Sequence, residues 1–188
     1  MLTLIVIIVA VTALVGVYVS WRAGRLDRLH TRVEAARAAL DAALVRRSSV
    51  ALELSSSGLL DPATSLLIAG AVQDARAGDR PRDLAESDLT RALRATFSQP
   101  GFRSALNGRD GADELLAEVE AAAHQVYLAR KFYNDAVAVT RAARSKPLVR
   151  VLRLAGSAEL AEFFEIDDSL VADGGSSAGG ADIQHLAG

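Results

Sequence analysis

From Leu2 to Val19 the chain carries no charged residue and reads LTLIVIIVAVTALVGVYV. As an α-helix that run spans about 27 Å, close to the ~30 Å hydrocarbon core of a bilayer. Tyr18 and Trp21 follow where an interfacial aromatic belt belongs. A cleaved signal peptide carries a basic n-region and a small-residue cleavage site. Here no Lys or Arg precedes the apolar run, and Tyr18-Val19-Ser20-Trp21-Arg22 follows it. A buried helix of a soluble protein rarely stays apolar on every face over such a length. The expectation is a retained single-pass anchor over residues 1–20. Arg22, Arg25, Arg28 and Arg32 come directly after it, opposed only by Asp27. The positive-inside rule then places the N-terminus outside and the remainder of the chain in the cytoplasm, at a bacterial inner or plasma membrane.

Downstream the apolar residues become periodic. Leu26, Leu29, Val33, Ala36, Leu40, Ala43, Val50 and Leu54 fall at alternating three- and four-residue steps, with Arg47 as one interruption. Arg28, Arg32, Glu34, Arg37, Asp41 and Arg46 lie between them as a solvated face. No proline interrupts residues 1–60, so the anchor is expected to continue as one helix to Ser55-Ser56-Ser57-Gly58. Asp61-Pro62 reads as an N-cap with proline at the first helical position, opening a helix to about Ala77 before Gly78. Asp83 with Glu86 resembles a capping box for a helix with Leu84, Leu89, Leu93 and Phe97 on one face, closed by Pro100-Gly101. One turn is expected around Ser104-Ala105-Leu106.

A second long helix starts near Asp110, with Asp110 and Asp113 as cap and first-turn acid. Its seam is Leu115, Val119, Ala122, Val126, Ala129, Tyr133, Ala136, Thr140 and Ala143. Leu116, Ala123, Leu128, Phe132 and Val137 widen that seam, and Pro147 ends the helix. The fold expected is all-α: a transmembrane helix running into a long helix, in an antiparallel bundle of about four helices over residues 21–155, closed by a short basic C-terminal helix. That last segment holds Arg144, Lys146, Arg150 and Arg153 among leucines and valines. Antiparallel packing returns it to the lipid, so Trp21, Arg22, Arg25, Arg28, Arg144, Lys146, Arg150 and Arg153 form the expected membrane-surface set. Residues 156–188 contain no Lys or Arg and end Gly/Ser-rich, which reads as an acidic, flexible tail.

Ala129-Arg130-Lys131-Phe132-Tyr133-Asn134-Asp135-Ala136-Val137 is similar to the Ala-Arg-Arg-x-Tyr-Asn-Glu/Asp-Ala-Val segment of the LemA family. Residues 32–40 resemble that family's alanine-rich basic stretch, and Phe163-Phe164-Glu165 its aromatic–Glu stretch. The chain is identified from these residues as a divergent member. Where the family carries a Pro-Asn-Leu-like motif after a basic pair, Arg46-Arg47 is followed by Ser48-Ser49-Val50-Ala51-Leu52. The resemblance implies a membrane-anchored antiparallel helical bundle and no particular enzymatic activity.

Groups for catalysis are scarce. Zero cysteines exclude thiol nucleophiles, disulfides and Cys-ligated metals. His30, His124 and His185 stand in no metal-ligand spacing apart from Glu120 and His124 at i, i+4, which read better as a solvated or interhelical pair. Neither a phosphate-binding Gly-rich loop nor a nucleophile elbow is present. The net charge of −2 gives no basis for nucleic-acid binding. No catalytic, cofactor or metal residue is assigned, and no cofactor or small-molecule substrate is expected. Phe132 and Tyr133 are expected to pack, and Asn134 and Asp135 to join a polar network or a surface. The function expected is a non-enzymatic membrane-anchored scaffold or accessory subunit that binds a membrane protein partner or further copies of itself through its bundle. The alternatives are a module organising or sensing anionic lipid and, more weakly, an unrecognised metal enzyme or hydrolase.

Overall fold

A computed structural model describes residues 1–145 and 161–167. Lys146, Arg150 and Arg153, the short basic helix expected around them, and the chain from residue 168 onward lie outside the described residues, as does the side chain of Arg22. Every described element is helical: α1 Leu2–Ser56, α2 Pro62–Ala77, α3 Arg82–Phe97, α4 Phe102–Leu106 and α5 Ala112–Arg144. The chain divides into two compact units, Met1–Ala38 with Phe132–Phe163, and Ala39–Lys131 with Phe164–Gly188.

The second unit holds the larger core. Val50, Ala51 and Leu54 of α1, Ile68 and Val72 of α2, Leu89 and Leu93 of α3, Leu106 of α4, and Leu116, Val119 and Ala122 of α5 are all buried in one cluster. Their three- and four-residue spacing is what turns each helix into a one-sided apolar element. Within this unit α1 and α5 run antiparallel. The Arg109 guanidinium, just ahead of α5, donates to the carbonyls of Gly58 and Leu59 just past α1, at 2.9 Å each. Further along, Arg46 Nη2 meets Glu118 Oε1 at 3.2 Å. The ring of Phe97 packs edge-on to Phe102 at 5.4 Å, fixing the corner between α3 and α4.

Helix boundaries follow local chemistry. Asp61 caps α2, its Oδ1 accepting from the N–H of Ala63 at 3.0 Å and of Thr64 at 3.1 Å. The Thr64 hydroxyl, then these backbone donors, hold the Asp61 carboxyl below its ordinary value of 3.8. Gly78 ends α2 at φ +73°, and Gly58 follows α1 at φ +73°, a left-handed geometry that glycine adopts without a Cβ clash. The helix expected near Asp110 opens at Ala112, with Asp113 and Glu114 in its first turn.

Three sequence expectations are corrected here. The Asp83–Glu86 capping box does not form: the N-cap of α3 is Pro81, with no side-chain cap, and Glu86 is buried elsewhere. Arg47 does not break the α1 seam but continues it, only 3% exposed, because Glu86 neutralises it. Leu84 of α3 and Leu128 and Phe132 of α5 lie on outer faces, Phe132 at 64% exposure, so the packing expected of Phe132 is not found.

In the first unit α1 carries the apolar run. Leu2–Trp21 is long and apolar enough to cross a membrane, and none of it is buried against protein. Val33 of α1 and Tyr133, Ala136, Val137 and Thr140 of α5 are buried. The seam anticipated for α5 therefore points inward along this stretch too, and α5 ends at Arg144, ahead of Pro147.

Candidate functional site

Three groups of residues stand out. The first lies where the apolar run meets the arginines. Because α1 is unbroken, Tyr18, Trp21, Arg25, Arg28 and Arg32, at steps of three and four, fall on one helical stripe. All five are exposed. Two aromatic rings followed by three guanidiniums along about 20 Å of helix match the order of a lipid interface, rings at the acyl boundary and cations among phosphates. His30, near this stripe, faces Glu34 at 3.3 Å, an i, i+4 pair rather than a ligand pair. Of the other basic cluster, Arg144 is the half-buried last residue of α5, and its companions are outside the described residues.

The second group is the segment of α5 that resembles the LemA motif. Helical geometry sorts it: Tyr133, Ala136 and Val137 are buried, Ala129, Arg130 and Asn134 half-buried, and Lys131, Phe132 and Asp135 exposed. In the first unit this part of α5 binds residues 161–163. The Tyr133 hydroxyl donates to the Glu162 carbonyl at 2.8 Å. Arg141 donates from Nε and Nη2 to the Ala161 carbonyl, at 2.9 and 2.7 Å, and its guanidinium covers the Phe163 ring at 4.8 Å. In the second unit Ile166 is buried, the Asp167 N–H donates to Ser87 Oγ at 3.1 Å, and the Asp167 carboxylate lies 3.7 Å from Arg94. Residues 161–163 thus contact α5 within the first unit, and Asp167 contacts α3 within the second. Backbone carbonyls accept most of these bonds, and they leave no mark in the residue pattern.

The third group was missed altogether. Arg47 and Glu86 form an ion pair at 2.6 Å with both side chains 3% exposed. Arg47 also donates to Thr90 Oγ1 at 2.8 Å and to the Glu86 carbonyl at 3.0 Å. The signal available was a charged residue at an apolar heptad position with a carboxylate on a neighbouring helix. Each charge of the pair is matched within the core, the Glu86 carboxylate accepting a charge-assisted bond from Arg47.

Glu120 pairs with Arg103, and the exposed His124 ring stacks against Tyr127 at 6.1 Å. Among the described residues no cluster of three or more His, Asp or Glu is arranged to hold a metal ion. No family model, curated protein or solved structure matches this chain.

Proposed function

We propose that this chain is a non-enzymatic, membrane-anchored scaffold or accessory subunit of a bacterial membrane protein complex. Its N-terminus lies outside the inner membrane and its bundle in the cytoplasm, as in a divergent relative of the LemA family. The observation that carries this reading is α1 itself: an exposed apolar run, an aromatic–arginine stripe and a bundle helix in one uninterrupted rod. Such a helix joins the bundle to the bilayer through continuous helical backbone. Exposed apolar side chains on the bundle helices, Leu66 at 75% and Phe132 at 64%, supply contact surface of the kind a partner buries. The test is purification from native membranes in mild detergent. A scaffold elutes with a stoichiometric partner or as a defined oligomer; a lone monomer under all mild conditions contradicts the reading.

The aromatic–arginine stripe also favours a second reading, in which the chain organises anionic lipid. Reversing the charge of Arg25 and Arg28 then abolishes enrichment of anionic lipid around the reconstituted protein, and unchanged enrichment rejects this alternative.

A further inference from the structure

Within the second unit, α1, α2 and α3 enclose an open cleft of about 370 Å³, inside the ~300–1,000 Å³ range of ligand sites. The apolar part of its lining is Leu44 and Val45 from α1 with Ala75 and Ala85, of which Val45 is exposed and Leu44 and Ala85 are buried. Its lining also includes the cations Arg76, Arg80 and Arg82. One acid, Glu86, shares the lining, and Arg47 neutralises it.

The three arginines are braced from outside the cleft. Arg76 Nη2 donates to Ser49 Oγ at 3.2 Å, Arg80 Nη1 meets Asp88 at 2.7 Å and Asp74 at 3.8 Å, and Arg82 Nη1 meets Asp41 at 2.6 Å. Each brace engages one nitrogen of a five-donor fork, so the fork is oriented while most of its donors stay available. Two further observations point the same way. Ser48 lines the cleft at 3% exposure, and among the described residues its hydroxyl has no hydrogen bond, although the adjacent Ser49 bonds back to Val45 O at 3.0 Å. The sixteen-residue α3 begins at Arg82 with no side-chain cap on its first backbone N–H groups, beside the arginines and with Asp83 in the same turn.

We infer that this cleft binds a phosphate monoester carrying a short apolar group. The phosphate sits among the Arg76, Arg80 and Arg82 guanidiniums, the Ser48 hydroxyl donates to a ligand oxygen, and the apolar group covers Val45. Planar guanidiniums match phosphate oxygens in pairs, and the exposed Val45 side chain favours an ester over the inorganic ion. This site is independent of the scaffold reading and stands or falls on ligand binding alone.

The full chain in neutral maltoside detergent, titrated calorimetrically with n-butyl phosphate, is the test. Saturable one-to-one binding is expected, tighter than that of inorganic phosphate, and the double substitution Arg76→Gln/Arg82→Gln weakens it about tenfold or more. Val45→Glu, at a position 63% exposed and so without cost to the fold, sets a carboxylate in the cleft and produces a loss of similar size. Lys131→Gln, exposed on α5, leaves binding unchanged. Competition separates the two sources of such an ester: displacement by dihexanoyl phosphatidic acid assigns a lipid, and displacement by glycerol 3-phosphate a soluble metabolite. No saturable binding of n-butyl phosphate at millimolar concentration, or binding that neither the arginine pair nor Val45→Glu alters, overturns the inference.

Discussion

Arg47 and Glu86 show how one position changes meaning between a sequence and a fold. In the heptad pattern Arg47 reads as a flaw, yet it is buried with its charge matched at 2.6 Å. Removing one partner strands the other charge, so Arg47→Ala or Glu86→Ala is expected to cost about 3–5 kcal/mol in denaturant unfolding. Replacing both with leucine or methionine is expected to be neutral or stabilising, since neither charge is then left buried. If the single substitutions unfold at wild-type denaturant concentrations, the buried pair is not formed. Asp61 behaves differently because it is solvent-facing and only its cap depends on charge. Its folded pKa lies below 3.8, so its stabilising effect is complete above that value and is lost as pH falls through the lowered folded pKa. Thermal scans of Asp61→Ala should show a lower melting temperature than wild type at neutral pH. That difference should shrink in strong acid, and one that persists undiminished there contradicts the charged cap.

At the scale of elements, the punctuation of the helices was open to reading. Asp61-Pro62 and Gly78 bound α2, Ser55–Gly58 ends α1, and Pro147 stands just past α5, because caps, left-handed glycines and prolines act locally. Which faces are buried was only partly readable. The α5 seam from Val119 to Thr140 points inward, but Leu128 and Phe132, one position off it, do not. An apolar stripe specifies a centre, and its edges depend on how wide the neighbouring helix is. The α3 cap was misread for the same reason in reverse: a Glu at the capping-box offset was engaged by a helix more distant in the chain. Two outcomes follow for the elements. Gly78→Ala meets no neighbour within 4 Å, so its cost is left-handed strain alone, about 1–2 kcal/mol. Phe132→Ser should leave unfolding within about 0.5 kcal/mol of wild type, whereas fully buried Val137→Ala should cost at least about 1 kcal/mol. Equal effects at positions 132 and 137 would reverse the assigned faces of α5.

For the molecule as a whole, the all-α class and the long first helix follow from two simple patterns, an uncharged run and a sustained three-four period. The cleft bounded by Arg76, Arg80 and Arg82, and the contacts of residues 161–163 and Asp167, arise from the meeting of helices distant in the chain and from backbone acceptors. Neither has a motif to announce it. The functional account rests on α1 being at once an anchor and a bundle helix. A chain with no cysteine allows this to be tested by introducing single cysteines along α1 and measuring the membrane depth of a spin label at each in reconstituted bilayers. The account predicts labels deep in lipid between positions 5 and 15, at the interface near Trp21, and in water by Arg32. Uniform water exposure from position 5 to position 32 would contradict it.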